Sequence, residues 1–176
     1  MSISPQNSGL SKNDPFIDYL RQMERTATFS CCRRYRYCLW RVWDMGLPSI
    51  LFFGLNPSTA DEQVDDATTR KCIGYAGRWG FGQLCIVNLF AAVARDPRTL
   101  REMDDPIGPQ NDVWLQLACR KHKVTLAAWG NGGEYLDRSS EVLRFTRPLY
   151  CIGKTLRGNP IHPLYQRASL NLVPLT

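Results

Sequence analysis

The sequence predicts an α/β domain: a three-layer α/β/α sandwich on a central four-stranded parallel sheet, with an added N-terminal strand or hairpin. Three observations carry that expectation. Four short apolar runs, "SILFFGL", "QLCIVNLFA", "VTLAAWG" and "RPLYCIG", read as strands buried on both faces. Helical patterns separate them, and strands alternating with helices make a parallel sheet. A chain of 176 residues, 44% apolar and 22% charged, is long enough for one core and fits neither a disordered nor a membrane class. No apolar run approaches the roughly 20 residues of a spanning helix.

Residues 1–14 are polar and lack an apolar signal core, so they read as a flexible leader on a cytoplasmic protein, with residues 15–176 as one domain. Residues 14–30 pattern as a short amphipathic helix. "RRYRYCLWRVW" (33–43) alternates charge with bulk at period two and reads as a strand. "DMGLP" is turn chemistry, which predicts a hairpin between that strand and the first buried one (49–55). A helix follows from about Ala67 to Trp79, capped by Asp65 or Asp66 and stopped by Gly80 and Gly82. After the second buried strand (83–91) comes an excursion dense in Asp and Pro. The helix of "PQNDVWLQLACRKH" then has proline in its first turn and basic residues in its last. The third strand (124–130), a helix in "EYLDRSSEVLRF" and the fourth strand (147–153) complete the alternation.

Seven scattered cysteines without a C-x-x-C pair argue for small core residues rather than a metal or redox site. The net charge is +6, and its distribution is uneven: from Arg144 to Thr176 there are five Lys/Arg and no acid. Four arginines lie among Tyr35, Tyr37, Trp40 and Trp43. Basic residues interleaved with aromatics suit a phosphate backbone and splayed bases, and an ordinary strand with a solvated basic face equally well.

A parallel sheet gathers "GLNPSTAD", "VNLFAAVARDP", "AWGNGG" and "GKTLRGNPIHPLYQR" on its carboxyl rim, where open α/β sheets bind ligands. Asn56 and Asn88 end apolar strands, where a side-chain amide needs partners or a ligand. His162 sits between two prolines, which fix its backbone. The other histidine, His122, ends a helix and reads as a cap on its dipole.

The order strand–G-x-N-P, strand–N, strand–W-G, strand–H-P resembles the uracil-DNA glycosylase superfamily over about residues 49–167. The resemblance implies that fold and removal of a flipped-out base by water attack, leaving an abasic site. Asn56 would hold the water and His162 would contact a base carbonyl. Gly54, Leu55, Pro57, Ser58, Asn88, Phe90 and Trp129 would form the base pocket. Lys154, Arg157, Leu164, Tyr165 and Arg167 would meet DNA, duplex or single-stranded, with Leu164 or Tyr165 as the wedge. Strict uracil enzymes carry tyrosine where this chain has Ser58. The smaller residue points to a C5-substituted (hydroxymethylated or glucosylated) or mismatched pyrimidine, and to base-excision repair or defence against phage with modified DNA. Leu164 replaces the usual serine after His-Pro, and Tyr75, Trp79 and Phe90 all qualify as the stacking aromatic. Asp61, Asp65 and Asp66 are available to assist, or to serve as loop and cap residues. The iron–sulfur members' cysteine spacing is missing, so no cofactor or metal is expected, and a monomer without membrane contact is.

The whole chain also resembles an uncharacterised bacterial and phage family sharing "LNPSTADEQVDDATTRKC" and "GKTLRGNPIHPLY". The alternatives are a catalytically idle nucleobase- or DNA-binding module of the same fold, and an N-glycosidase acting on nucleotides.

Overall fold

The structure, a computed structural model, describes residues 24–146 and 148–175. The predicted leader, residues 14–23 of the predicted helix and Arg147 lie outside the described residues. Strands β1 (Glu24–Phe29), β2 (Arg36–Val42), β3 (Ser49–Gly54), β4 (Gln83–Asn88), β5 (Thr125–Ala127), β6 (Leu149–Cys151) and β7 (Val173–Pro174) form one sheet. Its order is β1-β2-β4-β3-β5-β6-β7. The helices are α1 (Ala67–Arg78), α2 (Asn111–Lys121) and α3 (Arg138–Leu143), with 3₁₀ segments at Pro97–Glu102 and Gly130–Asp137.

The α/β class stands, but the sheet is mixed and has seven strands rather than four. The four apolar runs supply its middle, β4-β3-β5-β6, each parallel to its neighbour. β1, β2 and β7 extend it in antiparallel sense. Alternate residues of β3 feed two separate cores. Leu51 and Phe53 pack with Cys85, Val87 and α2's Leu115 and Ala118. Ile50 and Phe52 pack with Leu84, Ile86 and α1's Cys72, Ile73 and Ala76. Helices thus cover both faces of the sheet.

Two local expectations are corrected. From Glu24 onward the predicted helix is instead β1, whose "ERTATF" pairs residue by residue with β2 up to an irregularity at Thr28–Phe29. Pairing with an available edge outweighs a weak helical pattern here. The hairpin predicted through "DMGLP" does not form either, because β4 inserts between β2 and β3. The turn is real, but Trp43 and Asp44 donate their amides to Gly82 O, both at 3.0 Å, instead of closing back on β3. The hairpin is β1–β2, turning at Arg33 with φ +56°.

The alternating charges of β2 are not a solvated face. Arg41 is fully buried, with Nε 2.6 Å from Asp65, and Arg25 holds the same carboxylate at 2.7 Å. Arg36 is 3% exposed, and Arg33 pairs with Glu62. The basic-aromatic stretch is therefore largely spent on the fold.

The chain runs from β3 through α1 to β4 on one side, then through α2 back across β3 to β5 on the other. That reversal opens a crevice at the strands' carboxyl ends. Among the described residues no helix is long and apolar enough to cross a membrane. Replacing Asp65 by Asn leaves the Arg41 guanidinium buried without its counter-charge. Chemical denaturation is expected to show a loss of about 3–5 kcal/mol; a variant as stable as the parent would contradict this role.

Candidate functional site

β3 and β4 end side by side, with Gly54 in register with Asn88. A Cβ on residue 54 would come within 2.5 Å of Asn88 Oδ1, so only glycine leaves room for that amide. Asn88 is 3% exposed and its Nδ2 has no partner. Its backbone is pinned from the other face. Fully buried Asn111, on α2, donates through Nδ2 to Asn88 O (3.1 Å) and Leu89 O (3.0 Å), and Arg138 Nε donates to Leu89 O at 2.9 Å.

Asn56 is fixed just beyond β3. Its Nδ2 donates to Pro57 O at 2.9 Å and to Ala94 O at 2.8 Å. Two carbonyl partners identify that atom as the nitrogen and use both its hydrogens. Oδ1, an acceptor only, is what Asn56 has left to offer.

The fourth loop returns over this rim. Gly130 (φ +65°) turns the chain after β5 and donates its amide to Pro160 O at 2.9 Å, so the Trp-Gly turn and the His-Pro segment meet. His162 Nδ1 accepts from Leu164 N at 3.3 Å, which places the proton of the neutral ring on Nε2. Burial lowers the His162 pKa below the usual imidazole value, and Asp66 acts against that shift.

Together these elements enclose a cavity of about 360 Å³, at the lower end of the usual range for ligand pockets. Gly54, Leu55, Asn56, Ser58, Asn88, Trp129 and His162, all predicted for the site, line it, and so does Leu164. Phe52, Ile86 and Ala128 supply apolar wall. Trp129 is 2% exposed, stands edge-on to Phe53 at 6.4 Å, and its Nε1 has no partner.

Other predicted residues lie elsewhere. Phe90 is fully buried against Tyr135, at 5.5 Å between ring centroids, and is not part of the cavity lining. Its position on an apolar run reflects core packing. Pro57 is buried behind the site, its carbonyl holding Asn56 Nδ2 and Ala94 N. Tyr75 and Trp79 stack on each other at 5.1 Å and tie down the C-terminal segment through Arg167 O and Leu170 O. Leu164 is half-buried in the lining rather than projecting, whereas Tyr165 is 92% exposed at φ +68°. Arg157 is engaged by Glu134, and Arg167 is exposed. Lys154 borders a second cavity, of about 700 Å³, on another side of Trp129. His122 is indeed a helix-end residue: its buried Nδ1 lies 2.7 Å from Ala118 O.

Sequence reasoning missed Arg36, Thr68, Thr69 and Arg95, all in the lining. Arg36 donates from Nη1 to Ala60 O at 2.7 Å while its Nε is unpartnered. Desolvation lowers its pKa to about 10, so it stays charged at neutral pH. The signal was present in a charged residue on a strand whose neighbours are all bulky. Arg36 Nε, Asn88 Nδ2 and Trp129 Nε1 share one property: each is a buried N–H donor without an acceptor. A ligand that satisfies this cavity brings acceptors.

The model of a family described as protein of unknown function, DUF1643, matches residues 36–164. The chain belongs to the DUF1643 family. The match agrees with the uncharacterised family expected from the sequence, and it includes every lining residue of the cavity. It provides no link to the uracil-DNA glycosylases, a resemblance that rests on the four short motifs. No curated protein and no solved structure matches the chain.

His122 and His162 both have pKa values lowered chiefly by desolvation. The unfolded chain, with imidazoles titrating near 6.5, therefore binds more protons than the folded one as pH falls. Denaturation midpoints are expected to drop between pH 7.5 and 5.5, and to drop less in His122→Gln. A midpoint that rises over this window would contradict the neutral, desolvated state of both rings.

Proposed function

We propose that this DUF1643 protein is a monofunctional DNA glycosylase that draws a pyrimidine out of DNA into the rim cavity and hydrolyses its C1′–N bond. The single observation that supports this reading best is an apolar-walled cavity at the strand ends whose lining includes the unpartnered buried donors Asn88 Nδ2 and Arg36 Nε. A pyrimidine offers ring carbonyls to such donors and a flat apolar face to Phe52, Ile86 and Ala128. The order of the Asn-Pro, Asn, Trp-Gly and His-Pro motifs points the same way.

Cleaving the bond leaves cation character on the sugar and negative charge on the departing base. Asn88 Nδ2 and the His162 Nε2–H would donate to base oxygens as that charge develops; such preorganised donors are worth about 3–4 kcal/mol each. The depressed His162 pKa keeps the ring neutral, so it donates one hydrogen without having to shed a charge first. Asn56 Oδ1 would accept a hydrogen from the attacking water and fix its approach. This is positioning, since an amide is too weak a base to deprotonate water. Ser58 leaves the C5 side of the pyrimidine open, which favours a C5-modified or mismatched base as substrate. Repair, or defence against modified phage DNA, is the biological role that follows. Exposed Tyr165 is the better of the two wedge candidates, because Leu164 faces the cavity.

The test is to incubate the protein with duplexes carrying uracil, thymine mismatches, 5-hydroxymethylcytosine or glucosylated cytosine, and to cleave abasic sites with hot alkali. At least one substrate is expected to yield strand breaks, reduced a hundredfold or more in Asn88→Ala and Asn56→Ala. Tight DNA binding with no breaks on any substrate would overturn catalysis in favour of a binding module.

A further inference from the structure

Water attack needs an acceptor for the proton that the water loses, and the Asn-Pro motif does not supply one. Asn56 is an amide with both its hydrogens committed. Three aspartates follow the motif, and the structure separates them by what each already does. Asp61 Oδ1 accepts from Gln63 N and Val64 N, both at 2.8 Å, closing a turn outside the cavity. Asp65 is buried between Arg41 and Arg25. Asp66 differs from both: it is the one carboxylate in the cavity lining.

Asp66 also stands in a defined place. It is the N-cap of α1, with Oδ1 accepting from Thr69 N at 2.7 Å. Among the described residues its other oxygen, Oδ2, has no hydrogen bond or ion pair. The same cavity holds the buried, partly unpartnered Arg36 and the ring of His162, and the Asp66 charge acts on both. One carboxylate oxygen anchored by the helix and one left open is the arrangement a positioned base requires.

We infer that Asp66 is the base of this site, taking the proton of the attacking water and facing the cationic sugar. The inference rests on the excision reading above. In the step, the water oxygen bonds to C1′ while the C1′–N bond breaks and its electron pair leaves with the base. The water's proton passes to Asp66 Oδ2. The anionic base, held by the donors of Asn88 and His162, later takes a proton from solvent, and Asp66 returns its own.

The helix cap makes a clean test possible, because Asn and Ser cap helices about as well as Asp. Asp66→Asn and Asp66→Ser both keep the cap and remove the base. Full-length wild type and both variants are compared on the substrate with the highest base release, in single-turnover rate, affinity for that DNA and melting temperature. The expected result is a rate at least a hundredfold lower in both variants, with affinity within threefold and melting within about 3 °C of wild type. A wild type that releases base while either folded variant keeps its rate within threefold would overturn the role of Asp66 alone. A wild type that releases no base from any substrate overturns the excision reading, and this role with it.

Discussion

The close approach of Gly54 to Asn88 is the constraint on which the rim is built. Two parallel strands end in register, and the absence of a side chain on one lets the amide of the other occupy the space between them. Asn88 is thereby held buried and short of a partner, a state that an unconstrained asparagine would escape by turning to water. Asn111 and Arg138 oppose that escape by fixing the carbonyls at the end of β4 from the opposite face. The cavity therefore inherits a donor that the fold itself leaves unsatisfied, as sites built for a ligand do.

Charge in this protein is divided between scaffold and site. The Arg41–Asp65 pair lies under the same loop that carries Asp66, and Arg41 Nη2 also donates to Asp61 O at 2.6 Å. These contacts fix the path from the Asn-Pro turn to the cap of α1. One pair of adjacent aspartates is consequently split, with Asp65 directed to Arg41 and Arg25 and Asp66 to the cavity. Arg36, five residues before Arg41 on β2, reaches the cavity with part of its guanidinium unpaired.

The buried strands were legible in the sequence because burial on both faces writes an unbroken apolar run, and β3, β4, β5 and β6 all follow one. β1 was not, since "ERTATF" is half-exposed and its pairing partner lies outside its own pattern. The hairpin through "DMGLP" was misread because turn residues report a reversal without saying which strand lies beside which. The reading of Arg36 and Arg41 as a solvated basic face fails, since a period-two charge pattern looks the same whether water or the protein interior answers it. At the site, Asn56, Asn88 and Trp129 were legible by their place at strand ends and His162 by its neighbouring prolines, and they line one cavity. Phe90 shares that place and packs in the core, so position alone does not separate lining from packing. Which of three aspartates faces the cavity depends on a cap and an ion pair, and neither is visible in one dimension.

The claim that most needs testing is that unpartnered donors of this rim bind the acceptors of a pyrimidine. Side-chain NMR of ¹⁵N-labelled protein reads those donors directly, with Arg36→Lys and Asn88→Ala identifying their signals. On titration with free uracil or with DNA carrying an excisable base, the Arg36 Nε–H and the Asn88 amide are expected to shift together and to saturate. Saturable binding that moves neither signal would contradict the account.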